Sequence, residues 1–376
     1  MVNKDRIVKE FLELVQIDSE TRNEAQISKV LKEKFAALGL EVEEDDSAQR
    51  SGHASGNLIC TLKASEGLEK APVLFFTSHM DTVAPGNGIK PQIGDDGVIR
   101  SDGTTILGSD DKAGLAVMFE SLRLLKEQNA AHGTVRFVIT AGEEAGLKGS
   151  RAMDPSIMKA DFGYALDSNG SIGDIAVAAP SQMKVYVTFK GKAAHAGVNP
   201  EDGISAITVA SKAVSRMPLG RIDSETTANV GYFAGGGETN VVTESAKLVA
   251  EARSLVKEKL DRQVEAMRQA CESAAADMGA EVDFKTELMY PSFKYDETAP
   301  VVQLASKAFE KNGKKTKLFH SGGGSDANVF NGMGIPTVNL AVGYLDIHTT
   351  KERIAIQDMV DLCAVVVDIV KEAAQA

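Results

Sequence analysis

Two histidines and a group of acids stand where apolar runs of the chain give way to polar turns. Pro72–Thr77 leads into Ser78-His79-Met80-Asp81, Thr134–Thr140 into Gly142-Glu143-Glu144, and Phe162–Leu166 into Asp167. Asp110 lies in Gly108-Ser109-Asp110-Asp111-Lys112-Ala113-Gly114 at the start of a predicted helix, and His348 follows the apolar run after Pro336. Ligands of open α/β sheets bind outside the carboxyl ends of the strands, so these groups are expected at one edge. Taken singly, Asp167 is an ordinary turn residue, Glu143-Glu144 an acidic first helical turn favoured by the helix dipole, and each histidine a surface group. Their arrival together is the informative fact. Imidazole and carboxylate donors without cysteine suit Zn²⁺, or Mn²⁺ or Co²⁺, better than Cu⁺ or an iron–sulfur cluster. Two ions fit the arithmetic better than one: Asp110 can bridge, leaving one histidine and one acid for each ion and water in the open positions.

The elements that must position these groups follow from periodicity. Val2–Gln16 and Glu24–Leu38 carry apolar residues at helical spacing, the second stopping at Gly39, and Asp110–Gln128 reads as a helix with Asp at its start. Asn57–Leu62, Pro72–Thr77, Thr134–Thr140 and Phe162–Leu166 read as short strands. Strands alternating with helices predict an α/β domain of three layers around a mostly parallel sheet. The style changes near Pro180. Gln182–Lys190 alternates strictly, with Met183, Val185, Val187 and Phe189 on one face, as in a half-exposed antiparallel sheet. A helix over Gly203–Met217, strands over Thr227–Phe233 and Lys247–Arg253, a helix over Lys257–Met278 and a strand over Glu281–Leu288 complete an α+β unit. In the long helix, Leu260, Val264, Met267 and Cys271 form a packing stripe. After Pro291 the α/β style returns with a helix from Ala299, a strand over Pro336–Leu340 and a last helix from Gln357. The expectation is one domain inserted in another: residues 1–180 and 292–376 form an α/β domain, and 181–291 an inserted α+β unit.

His79-Met80-Asp81, the Gly-Ser-Asp110-Asp-Lys-Ala-Gly run, Glu143-Glu144-Ala-Gly, Asp167 and His348-Thr-Thr together resemble the zinc-dependent peptidase and deacylase family of peptidase T, carboxypeptidase G and aminoacylase. The order and spacing match along almost the whole chain, and the layout is most similar to the peptidase T branch. The resemblance implies that His79, Asp110 and Asp167 hold one metal ion, and Asp110, Glu144 and His348 the other. It implies that Asp81 accepts the far ring N–H of His79, and that Glu143 is the general base for a metal-activated water. In the inserted unit, Lys192-Ala-Ala-His195-Ala-Gly resembles a lid histidine that reaches the other protomer's site and steadies the oxyanion. Arg253 matches a lid arginine that clamps a substrate carboxylate, although Glu251 stands where the family often has Asp. Asn240 resembles a substrate-contacting asparagine, and Ser321-Gly-Gly-Gly-Ser325-Asp-Ala a glycine loop near the site. The implied protein is a zinc aminopeptidase acting on short peptides such as tripeptides, a homodimer through its lid; the alternative within the family is an N-acyl-amino-acid deacylase or carboxypeptidase.

Composition narrows the classes further. The chain has 376 residues, 43% hydrophobic and 25% charged, with a net charge of 41 − 53 = −12. Its basic residues are scattered, so no nucleic-acid partner is expected, and no run approaches a membrane helix, so no membrane partner is expected either. The opening MVNKDRIVKEFLELVQ lacks the apolar core of a secretory signal. Cys60, Cys271 and Cys363 are far apart, which predicts neither a disulfide framework nor a cysteine zinc cluster and fits a cytoplasmic location. There is no G-x-x-x-x-G-K-[ST] and no histidine followed by Glu, which excludes nucleotide P-loops and H-E-x-x-H peptidases. Gly323-Gly-Ser325-Asp-Ala327 comes within one glycine of a nucleophile elbow, but a serine mechanism leaves the acid cluster unexplained. His53 and His132 lie in loops without a supporting pattern and receive no role; His320 reads as a surface residue beside the glycine loop.

Overall fold

The computed structural model describes residues 1–375. The chain divides into two compact units: Met1–Ala178 with Tyr295–Ser321 and Ser325–Ala376, and Ala179–Lys294 with Gly322–Gly324. The glycines of the Ser321–Ala327 loop group with the second unit, because Gly324 lies under the Tyr290 ring: a Cβ there would come within 2.2 Å of it.

The first unit is built on a mixed sheet with strand order Glu41–Glu44, Leu58–Leu62, Val135–Thr140, Leu74–His79, Phe162–Ser168, Thr337–Ala341 and Asp174–Ala179. The four central strands, Val135–Thr140 to Thr337–Ala341, are parallel. Leu58–Leu62 and Asp174–Ala179 join them antiparallel on either side. All six residues of Leu74–His79 are buried, as expected of a parallel strand covered on both faces. Successive residues serve opposite layers. Phe76 stacks with Phe137 and Tyr164 on one face, at 6.1 and 5.6 Å between ring centroids, and Phe75 meets Phe330 at 4.7 Å on the other. The first layer is completed by the helices Lys4–Val15, Ser109–Glu127 and Ile356–Ala373, whose apolar stripes share one core with Phe76. Phe75 and Val138 form a second cluster with Met153, Met158, Phe330 and Ile335. The α/β class and mostly parallel sheet are as the sequence predicts.

The predicted helix from Asp110 begins differently. Its assigned span is Ser109–Glu127, but Asp110 (φ −83°, ψ 99°) and Asp111 (φ −125°, ψ 36°) are not helical, and the bond between them is cis. The regular helix starts beyond them, so Asp110 and Asp111 form an irregular entry.

In the second unit, Ser181–Lys190 pairs antiparallel with Ser245–Ser254 on one side and Glu281–Tyr290 on the other; Thr226–Gly235 lies beyond Ser245–Ser254. Val185, Val187 and Phe189 pack against the helices Ala206–Arg216 and Lys257–Met278. Leu260, Val264, Met267 and Cys271 are all buried there. Ser205 Oγ caps the first helix through the Thr208 N–H, and Gly279 at φ +69° closes the second. Among the described residues no helix is long and apolar enough to cross a membrane.

Candidate metal centre and active site

Because the central strands are parallel, the ends of Leu74–His79, Val135–Thr140 and Phe162–Ser168 lie at one edge, with His79 in register with Thr140. His79 is buried. Its Nδ1 lies 2.9 Å from the backbone carbonyl of Asp81, and its Nε2 lies 3.0 Å from Asp110 Oδ1 and 3.7 Å from Asp167 Oδ1. With Nδ1 facing a carbonyl, Nε2 is the ring nitrogen left to face the carboxylates, the position from which an imidazole can bind a metal. His348, an exposed residue at φ +63°, brings Nε2 to 2.9 Å from Glu144 Oε1 and 3.3 Å from Asp110 Oδ2. Asp110 thus stands between the two histidines.

Donor atoms of His79, Asp110 and Glu144 lie within 4.8 Å of one another, and so do donors of His79, Asp111 and Asp167. Asp111 Oδ2 is buried without a hydrogen-bond partner. An orphaned carboxylate oxygen and this convergence of acids fit divalent cations. Sequence reasoning missed Asp111; its burial is a property of the irregular helix entry.

Asp81 is placed differently from the expectation. Its Oδ1 lies 3.6 Å from His79 Nδ1, beyond hydrogen-bond reach; the backbone carbonyl takes that role. The carboxylate instead accepts the backbone N–H of Glu143 at 3.0 Å (Oδ1) and of Glu144 at 3.3 Å (Oδ2), and the Thr21 hydroxyl at 2.7 Å. The physical reason is the turn after Thr140, whose N–H groups lack a strand partner and point back at Asp81.

Other supports were not legible in the sequence. Asn339 brackets Asp167, accepting its N–H at 3.0 Å and donating to its carbonyl at 2.8 Å, while Tyr344 Oη donates to Asp167 Oδ1 at 3.0 Å. Buried Asp326 accepts the hydroxyls of Thr140 and Ser150 at 2.5 Å each. Buried Lys112 donates to Ser19 Oγ at 2.7 Å. His53, assigned no role from sequence, is buried with Nδ1 2.6 Å from Glu24 Oε1, and its ring packs on Gly142. His132 bonds the Gly133 carbonyl on another loop.

The charges respond to this crowding. Burial, joined by Asp326, Glu144 and Asp110, pushes Glu143 well above the usual carboxylate range despite the opposing His79. Burial also raises Asp167 and Asp111. Burial works against protonated His79, but the Asp110 hydrogen bond and the charges of Asp167, Asp110 and Glu143 outweigh it and raise its pKa. Asp110 is lowered: burial is overcome by the hydrogen bonds of His348 and His79. His348 is pushed up to about 10 by hydrogen bonds to Asp110 and Glu144, and burial brings Lys112 down to about 8.

His195, Asn240 and Arg253 belong to the second unit. His195 is exposed, and its Nδ1 accepts the N–H groups of Gly197 and Val198, both at 3.1 Å. That fixes the proton on Nε2. Asn240 adjoins it, its carbonyl accepting the Ala196 N–H at 2.8 Å. Arg253, on the strand Ser245–Ser254, donates from Nε to Glu251 Oε1 at 2.8 Å; Glu251 Oε2 accepts Gln182 Nε2 at 2.5 Å.

Residues 75–372 match peptidase family M20/M25/M40. The chain belongs to that family, and it is an enzyme of it. It is 58% identical over 375 residues to YqjE, an uncharacterized protein of Bacillus subtilis (strain 168), with all of both chains covered. A crystal structure of aminopeptidase PepT from Bacillus cereus ATCC 10987 superposes with a TM-score of 0.92 at 56% identity over 99% of both chains. That of a tripeptidase from Staphylococcus aureus subsp. aureus Mu50 gives 0.95 at 46% identity over 100% of both.

Proposed function

We propose that the protein is a zinc-dependent metallo-exopeptidase, an aminopeptidase that releases the N-terminal residue of short peptides, tripeptides above all. The observation that carries this reading is the convergence of His79, Asp110, Asp167, Glu144 and His348 at one sheet edge beside Glu143. Similarity to an aminopeptidase and a tripeptidase over whole chains supports the substrate class.

His79, Asp110 and Asp167 would hold one ion, and Asp110, Glu144 and His348 the other. Bound there, divalent ions lower the pKa of water and polarise a scissile carbonyl. Glu143 takes the proton from water and returns it to the leaving amine. Asp81 holds the Glu143–Glu144 backbone so that the adjacent carboxylates keep separate tasks. His195, with Nε2–H fixed as donor, steadies the oxyanion. Arg253, held at Nε by Glu251, offers its remaining edge to the substrate carboxylate, and Asn240 contacts the peptide.

The protein acts as a homodimer through the inserted unit. Among the described residues, the outer side of Thr226–Gly235 is paired at Thr227 and Ala228 by Gly220–Arg221 and bonded at the Thr226 carbonyl by the Ile222 N–H, and the strand exposes Tyr232 and Phe233 beyond that point, an edge suited to strand pairing. Its buried free cysteines fit a cytoplasmic location.

The test is one reaction vessel holding the zinc-loaded protein with a tripeptide, the matching dipeptide and the N-acetylated amino acid, resolved by mass spectrometry. Loss of the tripeptide's N-terminal residue with the others intact is expected. Deacetylation with both peptides untouched would replace this reading with an N-acyl-amino-acid deacylase.

A further inference from the structure

We infer that Glu352 is a positioning residue that locks the Asp110 turn to the loop bearing His348 and thereby sets the geometry of the metal centre. The inference rests on Asp110 and His348 being ligands.

Leu107, Gly108 and Asp110 precede the regular helix, and Glu352 takes up their N–H groups. Its Oε2 accepts the N–H groups of Leu107 and Gly108, both at 2.8 Å, and its Oε1 accepts the Asp110 N–H at 2.9 Å and the Ser109 hydroxyl at 2.6 Å. Four donors from four consecutive residues converge on one carboxylate that is 1% exposed. Only an ionised carboxylate offers acceptors at both ends; a glutamine would turn its NH₂ toward one pair of donors.

Glu352 also belongs to the His348 loop. Leu345 and Arg353 close its neck with two backbone hydrogen bonds, 2.9 and 3.0 Å, and the Glu352 N–H donates to the Thr349 carbonyl at 3.1 Å. An Arg353–Asp346 ion pair braces the same neck. Asp346 and His348 both adopt positive φ, +54° and +63°, a conformation that non-glycine residues hold only when their surroundings impose it. The base of this loop is therefore clamped to the Asp110 turn, while its tip places His348 Nε2 3.3 Å from Asp110 Oδ2. Two ligands 238 positions apart (348 − 110) become parts of one frame. Groups that orient ligands in this way typically change metal affinity by about 10- to 100-fold when removed.

The experiment is a zinc titration against a chromophoric chelator, with far-UV circular dichroism and a melting curve for each variant. Glu352→Ala is expected to bind zinc at least about tenfold more weakly than wild type. Glu352→Gln, keeping shape and one acceptor oxygen, is expected to fall between them. Ser109→Ala, removing one of the four donors, should weaken binding about threefold. A folded Glu352→Ala with wild-type zinc affinity would overturn the proposal. If that variant does not fold, wild-type affinity in both Glu352→Gln and Ser109→Ala does the same. Asp110→Asn separates the two levels: zinc binding undiminished in that variant overturns the ligand reading itself. Loss there with full affinity in the Glu352 variants overturns only the positioning role.

Discussion

The carboxylate of Asp81 holds the backbone of Glu143: Oδ1 accepts the Glu143 N–H at 3.0 Å, and Oδ2 takes the next N–H, that of Glu144, at 3.3 Å. The Asp81 side chain therefore orients the Glu143–Glu144 turn rather than the His79 imidazole, which is held by the Asp81 main-chain carbonyl. Substituting Asp81→Asn leaves that carbonyl in place but removes one acceptor. The expected result is full metal content with kcat lowered by about 10- to 100-fold, at the weaker end of what base positioning contributes. Loss of metal, with normal kcat in the reloaded enzyme, would instead assign the carboxylate to His79.

Gly142 is fixed by two independent constraints. Its φ is +65°, and a Cβ would lie 2.2 Å from Cε1 of His53, itself held by Glu24. An L-residue with left-handed φ costs about 1–2 kcal/mol before any collision. Gly142→Ala is expected to lower both the melting temperature and kcat, because the displaced residue adjoins Glu143. Adding His53→Ala relieves the collision but not the φ strain, so the double variant should recover part of the lost stability. A double-mutant cycle in which the two effects simply add would show that the ring does not confine the turn.

Much of this centre was legible because parallel strands deliver their ends to one edge: His79, Glu143-Glu144 and Asp167 follow three recognisable apolar runs. Asp110 could be placed because a helix pattern begins beside it. What could not be read was support through the backbone. That Asp81 serves two N–H groups, that Asn339 brackets Asp167, and that Glu352 gathers the 107–110 turn depend on which donors the tertiary fold leaves without partners. Sequence periodicity carries no trace of that. His53 was passed over for a related reason: its neighbour is a glycine whose requirement appears only once the ring is seen against it. In the second unit, strict alternation over Gln182–Lys190 marked the buried face correctly, since a half-exposed antiparallel strand writes its environment into every second residue.

Glu44 supplies a pH-dependent test away from the candidate metal centre. Burial pushes its carboxyl up, but hydrogen bonds from Lys32 (2.6 Å), the Gly56 N–H (3.0 Å) and Ser55 (3.1 Å) outweigh it and hold it below its ordinary 4.5. An acid with a depressed folded pKa contributes stability that is present above the unfolded value and lost as pH falls through the folded one. Wild type should therefore melt above Glu44→Gln at pH 6, with the gap closing as pH drops below about 4. A gap independent of pH would mean that the carboxylate's charge plays no part in holding the Ser55–Gly56 segment.

The most direct test of the whole account is Glu143→Ala, measured for metal content and turnover of a tripeptide in the same preparation. Glu143 is assigned to the proton and not to either ion. The variant should carry as much zinc as wild type while kcat falls by about 10²- to 10⁴-fold, the span that a general base contributes. Turnover close to wild type in a zinc-replete Glu143→Ala protein would contradict the mechanism at its centre.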